Sequence, residues 1–143
     1  MALEAQPLDD LFVLRRRRVE VLSDYFSRVF ALEPGLELLT SRLASLEISR
    51  TLLRAGVDRE RVPYVVGQAL RGVYLLDVTS TVLARAQAYG VRRLGSLDAI
   101  HLATALHLVS ERAVTVTDFV VYDLRLAAAA RGLGFSVVSP GAP

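Results

Sequence analysis

The thirteen residues from Ser96 to Leu108, SLDAIHLATALHL, constrain the fold more than any other stretch of the chain. They predict a helix with Ser96 as its cap, Asp98 in its first turn and a body of alanine and leucine. Ile100, Ala103, Thr104 and His107 share one face, and Leu97, Leu102, Ala105 and Leu108 cover much of the remainder. Little of such a helix is built for water, so other elements must pack around it. A carboxylate at its start sits where backbone N–H groups and the helix dipole favour negative charge. Asp98 is therefore either a helix cap or one corner of an acidic metal site.

The flanking sequence alternates between short apolar runs and helical periods. Leu11–Leu14 reads as a strand or as the start of a helix, and Val19, Leu22, Phe26, Val29 and Phe30 recur at helical spacing until Glu33-Pro34-Gly35 stops them. Leu36–Thr40 predicts a buried strand. Ser41 then caps a helix that runs to about Ala55 and is stopped by Gly56. A further helix starts at Asp58 or, because of Pro63, near Arg61. Val73–Val78 predicts a strand, and Thr79 or Ser80 opens a helix to about Tyr89. Beyond the central helix, Phe119–Tyr122 predicts a strand, Leu124–Arg131 a helix and Phe135–Val138 a last strand before the SPGAP tail. Such alternation implies an α/β fold, three layers thick, with helices on both faces of a central and mostly parallel sheet. At 143 residues the chain is expected to be one domain, residues 1–143, with 139–143 as its tail.

Composition narrows the function classes. Cysteine is absent, which excludes a disulfide framework and a thiolate metal site. No apolar run reaches the roughly 18–20 residues that span a bilayer, so a cytoplasmic chain without a membrane partner is expected. The net charge of +2 is too small to argue for nucleic acid by itself. Its distribution matters more: Arg15–Arg18 are consecutive, and Arg92 and Arg93 lie in the turn before the central helix. The four-arginine run is either a solvated face or a patch that contacts phosphate or protein.

Three acids fall where a parallel sheet gathers its ligands, outside the carboxyl ends of the strands. Glu47 lies on the helix after Leu36–Thr40, Asp98 opens the central helix, and Asp123 follows the Phe119–Tyr122 strand. Carboxylates that converge from separate elements repel one another, and a bound cation relieves the repulsion. With oxygen donors and no thiolates, Mg²⁺ or Mn²⁺ is the natural ion. Each acid also has a structural alternative: Asp98 as a cap, Glu47 paired with Arg50 or Arg54, and Asp123 as a turn residue. Asp77, Asp118 and Glu33 read as structural, and His101 and His107 as packing or rim residues.

The motif SLDAIHLATAL (Ser96–Leu106) resembles the central signature of PIN-domain proteins of the VapC toxin type. VVYDLRLAAAARGLGFSVVSPG (Val120–Gly141) is similar to that family's closing segment, and TSRLASLEISRTLLR (Thr40–Arg54) to the segment that supplies a glutamate. The resemblance covers about residues 36–141. It implies an α/β/α fold and a Mg²⁺- or Mn²⁺-dependent ribonuclease, with Glu47, Asp98 and Asp123 as catalytic metal ligands. The family's first aspartate ends a Leu-Asp pair. Here that pair is Leu8-Asp9, and the 38 residues from Asp9 to Glu47 suit the family. The resemblance further implies a VapB-type antitoxin, an RNA substrate and a homodimer. Arg92 and Arg93, or the Arg15–Arg18 run, would hold the flanking phosphates. The alternative is a degenerate PIN domain that binds antitoxin or RNA without cutting.

Overall fold

In a computed structural model, residues 11–88, 94–112 and 115–142 are described. The first element, α1 (Leu11–Leu32), is a helix of 22 residues, about 33 Å long at 1.5 Å per residue. It takes in Leu11–Leu14, so of the two readings of that run the helical one is correct. Four adjacent apolar residues carry no period of their own, and nothing between Leu11 and Leu32 breaks a helix. The end comes where expected: Glu33 N–H still reaches Val29 O at 2.9 Å, and the chain then turns through Pro34 and Gly35.

The next four elements form one β–α–β unit. Strand β1 (Leu38–Ser41) leads into α2 (Leu43–Arg54), then α3 (Val62–Ala69), and the chain returns as β2 (Val73–Leu76). The two strands are parallel and in register from Leu38 opposite Val73 to Ser41 opposite Leu76. Arg42 N–H donates to Leu76 O at 2.8 Å and carries the ladder one residue further. Ser41 belongs to the strand and still serves the helix, since its Oγ accepts from Leu43 N–H at 3.2 Å. At the other end of α2, Gly56 takes a positive φ of 80°, a conformation costly for a residue with a Cβ. That turn lets Gly56 and Val57 N–H reach Leu53 and Leu52 carbonyls, which closes the helix. Helix α3 starts at Val62 with Arg61 before it, so Pro63 sits in the first turn, where its missing N–H costs nothing.

Helix α4 (Ser80–Gln87) opens on Thr79, whose hydroxyl accepts from Val82 N–H at 3.2 Å. It packs along α5 (Ser96–Arg112), the central helix, which extends four residues past Leu108. Ser96 is the first helical residue rather than the cap, because the carbonyl that accepts from Ala99 N–H at 2.9 Å belongs to Gly95. Ala99, His101, Leu102, Ala103, Thr104 and Leu108 are all buried, as expected of a helix with so little polar surface.

A second β–α–β unit ends the chain: β3 (Phe119–Val120), α6 (Leu124–Gly132) and β4 (Val137–Val138), with β3 and β4 parallel. Both strands are shorter than the sequence predicts, and the ladder is extended by Phe119 N–H to Ser136 O and Val121 N–H to Val138 O. The parallel α/β arrangement holds, with the strand ladders running as two pairs, β1–β2 and β3–β4.

Each unit has its own core. Leu102, Phe119, Val121, Leu126, Ala127 and Ala130 pack together in the second, and Ala44, Val62, Val66 and Leu70 in the first. At about 25 cal/mol per Å² of apolar surface removed from water, these clusters outweigh any exposed ion pair. The Arg42–Asp77 bridge, at 2.6 Å with both side chains more than half exposed, is one such pair.

Candidate functional site

Glu47, Asp98 and Asp123 come from three elements that the fold aims at one another. Glu47 lies in the second turn of α2, just past the carboxyl end of β1, with its side chain 18% exposed. Asp98 lies in the first turn of α5. Asp123 follows β3 and caps α6: its Oδ1 accepts from Leu126 N–H at 2.7 Å. The capping alternative for Asp123 is thus realised, and it occupies one of the two carboxylate oxygens.

Electrostatics report the convergence. The Asp98 carboxyl is held above its ordinary value of 3.8, first by burial, then by the negative charge of Asp123, with Glu47 adding to it. His101 and Arg125 pull in the other direction and are outweighed. The sequence leads one to expect that the start of α5 keeps Asp98 ionised. The helix dipole is worth only about 0.3–1 kcal/mol at such a position, and burial beside two like charges exceeds it. Asp98 is a strained carboxylate, not a comfortable cap.

His101 is the residue that sequence reasoning missed. Its Nε2 lies 2.5 Å from Glu47 Oε1, across 54 residues of chain, and its side chain is 3% exposed. Glu47 is therefore partnered by an imidazole from α5 and not by Arg50 or Arg54. The available signal was spacing: His101 is three residues after Asp98, so the two are neighbours along one side of the helix. Arg125, exposed beside Asp123, is a second residue that sequence reasoning passed over.

Of the acids set aside as structural, Asp118 and Asp77 are engaged elsewhere. Asp118 accepts from the Tyr25 hydroxyl at 2.8 Å and from Ser136 at 3.2 Å, and Asp77 pairs with Arg42. Asp9, Arg92 and Arg93 lie outside the described residues, as do the side chains of Arg15–Arg18. A cavity of about 240 Å³ between α1, β1, α5 and β3 is lined by Phe26, Phe30, Leu38, Thr104, Leu108 and Phe119. It reaches none of the three acids and touches the cluster only through His101.

The donor set fits a hard divalent cation: carboxylate oxygens, no thiolate, and a mutual repulsion that positive charge would relieve. Among the described residues, no three aspartate, glutamate or histidine side chains are gathered closely enough to enclose an ion. Glu47, Asp98 and Asp123 would be joined by a further ligand or drawn together as they took up the charge.

Comparison with known proteins places this arrangement. The PIN-domain family model matches residues 11–131. Ribonuclease VapC47 of Mycobacterium tuberculosis (strain CDC 1551 / Oshkosh) is 39% identical over 110 residues, 76% of this chain and 75% of that protein. Ribonuclease VapC35 of the same species is 36% identical over 124 residues, 87% of this chain and 88% of that protein. No solved structure gives a significant match. With two parallel β–α–β units, acids at their carboxyl ends and relatives that share most of its length, the chain belongs to the PIN-domain family as a VapC-type member.

Proposed function

We propose that this chain is a Mg²⁺- or Mn²⁺-dependent endoribonuclease toxin, neutralised by a cognate VapB-type antitoxin. The observation that carries the reading is the convergence of three carboxylates, felt as the upward pull on Asp98. Relatives that cover three quarters or more of the chain and are named ribonucleases support it.

In this reading Glu47, Asp98 and Asp123 hold the cation, with Asp9 as a fourth ligand. The cation supplies a water of lowered pKa and a counter-charge for the scissile phosphate. The chain's own residues do the rest. Asp98 and Asp123 fix the position of attack from two separate helix starts, and Arg92, Arg93 and Arg125 hold the flanking phosphates by contacts that weaken with salt. In-line displacement at phosphorus leaves a 5′-phosphate and a 3′-hydroxyl. The RNA enters single-stranded or as a loop, because a duplex presents its scissile bond poorly to a recessed site. A cytoplasmic homodimer completes the proposal. Among the described residues, no helix is long and apolar enough to cross a membrane.

A second reading is a PIN domain that binds RNA or antitoxin without cutting. Its motivation is that Glu47 and Asp123 each already give an oxygen to a partner within the fold. Cleavage of a single-stranded RNA with Mn²⁺, in the native chain and in Asp98→Asn, separates the two. The nuclease reading expects Mn²⁺-dependent products from the native chain and a loss of at least about 100-fold in the variant, the scale of removing a charge-stabilising group from an active site. Equal rates in both would overturn the assignment of Asp98.

A further inference from the structure

The carboxylate reading leaves one buried polar side chain of the cluster without a task. His101 is 3% exposed, on the helix that carries Asp98, with Nε2 2.5 Å from Glu47 Oε1. An ionised carboxylate oxygen only accepts, so the proton between them belongs to Nε2. We propose that His101 is a positioning residue for Glu47: it fixes Oε1 by donation and leaves Oε2 as the oxygen offered to a divalent cation. The inference rests on the metal-site reading above and gives one of its ligands a mechanism of orientation.

Three observations bear on it. First, Glu47 is a long side chain on a helix whose next residues toward solvent, Leu46 and Arg50, are exposed. Without a fixed partner it would sample several rotamers, and ordering it would weaken cation binding. Second, the partner is itself buried. The His101 side chain is 3% exposed, on a helix where Leu102 and Ala103 are fully buried, so the packed helix gives the ring a fixed point of attachment. Third, Asp98 and His101 are three residues apart on α5. One helix turn thereby places both the carboxylate with the most crowded charge and the donor that aims its neighbour, and the relative position of two acids from separate elements becomes a property of a single rigid segment. Carboxylates that bind metals are ordinarily hydrogen-bonded in turn, and removing such a partner costs about 10–100-fold in metal affinity or activity. With Nε2 committed to Glu47, His101 acts through that residue and not as a ligand by the same nitrogen.

The test is Mn²⁺ affinity, measured directly by titration of the full chain with Mn²⁺ alone, together with kcat at saturating Mn²⁺. His101→Leu removes the donor at similar volume, and His101→Gln keeps an N–H on a flexible arm. The proposal expects His101→Leu to bind Mn²⁺ about 10–100-fold more weakly while still unfolding in a single cooperative transition, and His101→Gln to recover most of the loss. It is overturned if His101→Leu binds Mn²⁺ as the native chain does, or if both variants lose affinity equally. Asp98→Asn is the control: if it too binds Mn²⁺ like the native chain, the metal-site reading fails first. Should His101→Leu not fold, ring-nitrogen NMR of the native chain decides. An Nε2-protonated ring that keeps its signal when Mg²⁺ is added supports the proposal, and loss of that proton to direct coordination overturns it.

Discussion

Asp98 shows how a single residue can be legible in its position and misjudged in its energetics. Ser96-Leu97-Asp98 marks a helix start, and a helix start favours an anion. The opposing contribution comes first from burial and then from the charges of Asp123 and Glu47, which are 25 and 51 residues away, so no local pattern carries it. The sign of the pH dependence follows. In the unfolded chain the carboxyl titrates near its ordinary 3.8; in the folded chain it holds its proton to higher pH. Stability is therefore untouched by Asp98 below pH 3.8 and falls as pH rises from there through the folded value. Without metal, Asp98→Asn is expected to melt above the native chain at pH 7, and the difference should vanish in acid. Mn²⁺ should then raise the melting temperature of the native chain only. A variant that melts lower at pH 7 would mean that Asp98 acts as a plain stabilising cap. His101 escaped for the same reason that Asp98 was misjudged: a histidine on an apolar helix reads as packing until its partner, Glu47, is brought to it by the fold.

At the scale of elements, caps and stops were legible where one residue type decides them. Thr79 opening α4, Gly56 closing α2 and Pro34-Gly35 ending α1 depend on local stereochemistry, and each is where the sequence puts it. Strand lengths were less legible, because a ladder needs two strands and the β3 and β4 patterns describe only one each. How α1 is fastened was not legible at all. Tyr25 reaches across 93 residues to Asp118 at the entrance to β3, and its hydroxyl pKa is pushed up to about 12 by burial, by that hydrogen bond and by the Asp118 charge. Tyr25 should appear as a late step near pH 12 in an alkaline spectrophotometric titration, and Tyr25→Phe should delete that step. The contribution of this contact to stability is present below pH 10 and is lost as pH rises through about 12. Tyr25→Phe is expected to cost about 1 kcal/mol at neutral pH in urea unfolding, since Asp118 keeps Ser136 as a donor. No change in midpoint would show that α1 is held by packing alone.

In the whole molecule, the two β–α–β units matter for more than architecture. Residues 38–76 make one and residues 119–138 the other, each contiguous in sequence and each with a cluster of buried side chains, the second completed by Leu102 from α5. Glu47 belongs to the first and Asp123 to the second, while Asp98 and His101 ride on the helix between them. Short-range units of this kind form and open with a degree of independence, and a group assembled across their junction exists only while both are closed. The functional state is then a quorum of two parts, more fragile than either. On gentle warming or in mild denaturant, amide exchange should detect separation of the units, and Mn²⁺ binding should disappear, before the protected amides at the centre of either unit begin to exchange. If binding and those amides were lost together, the two units would constitute one cooperative body. In the proposed reading, whatever pulls the units apart by a small distance would extinguish the site without unfolding either one.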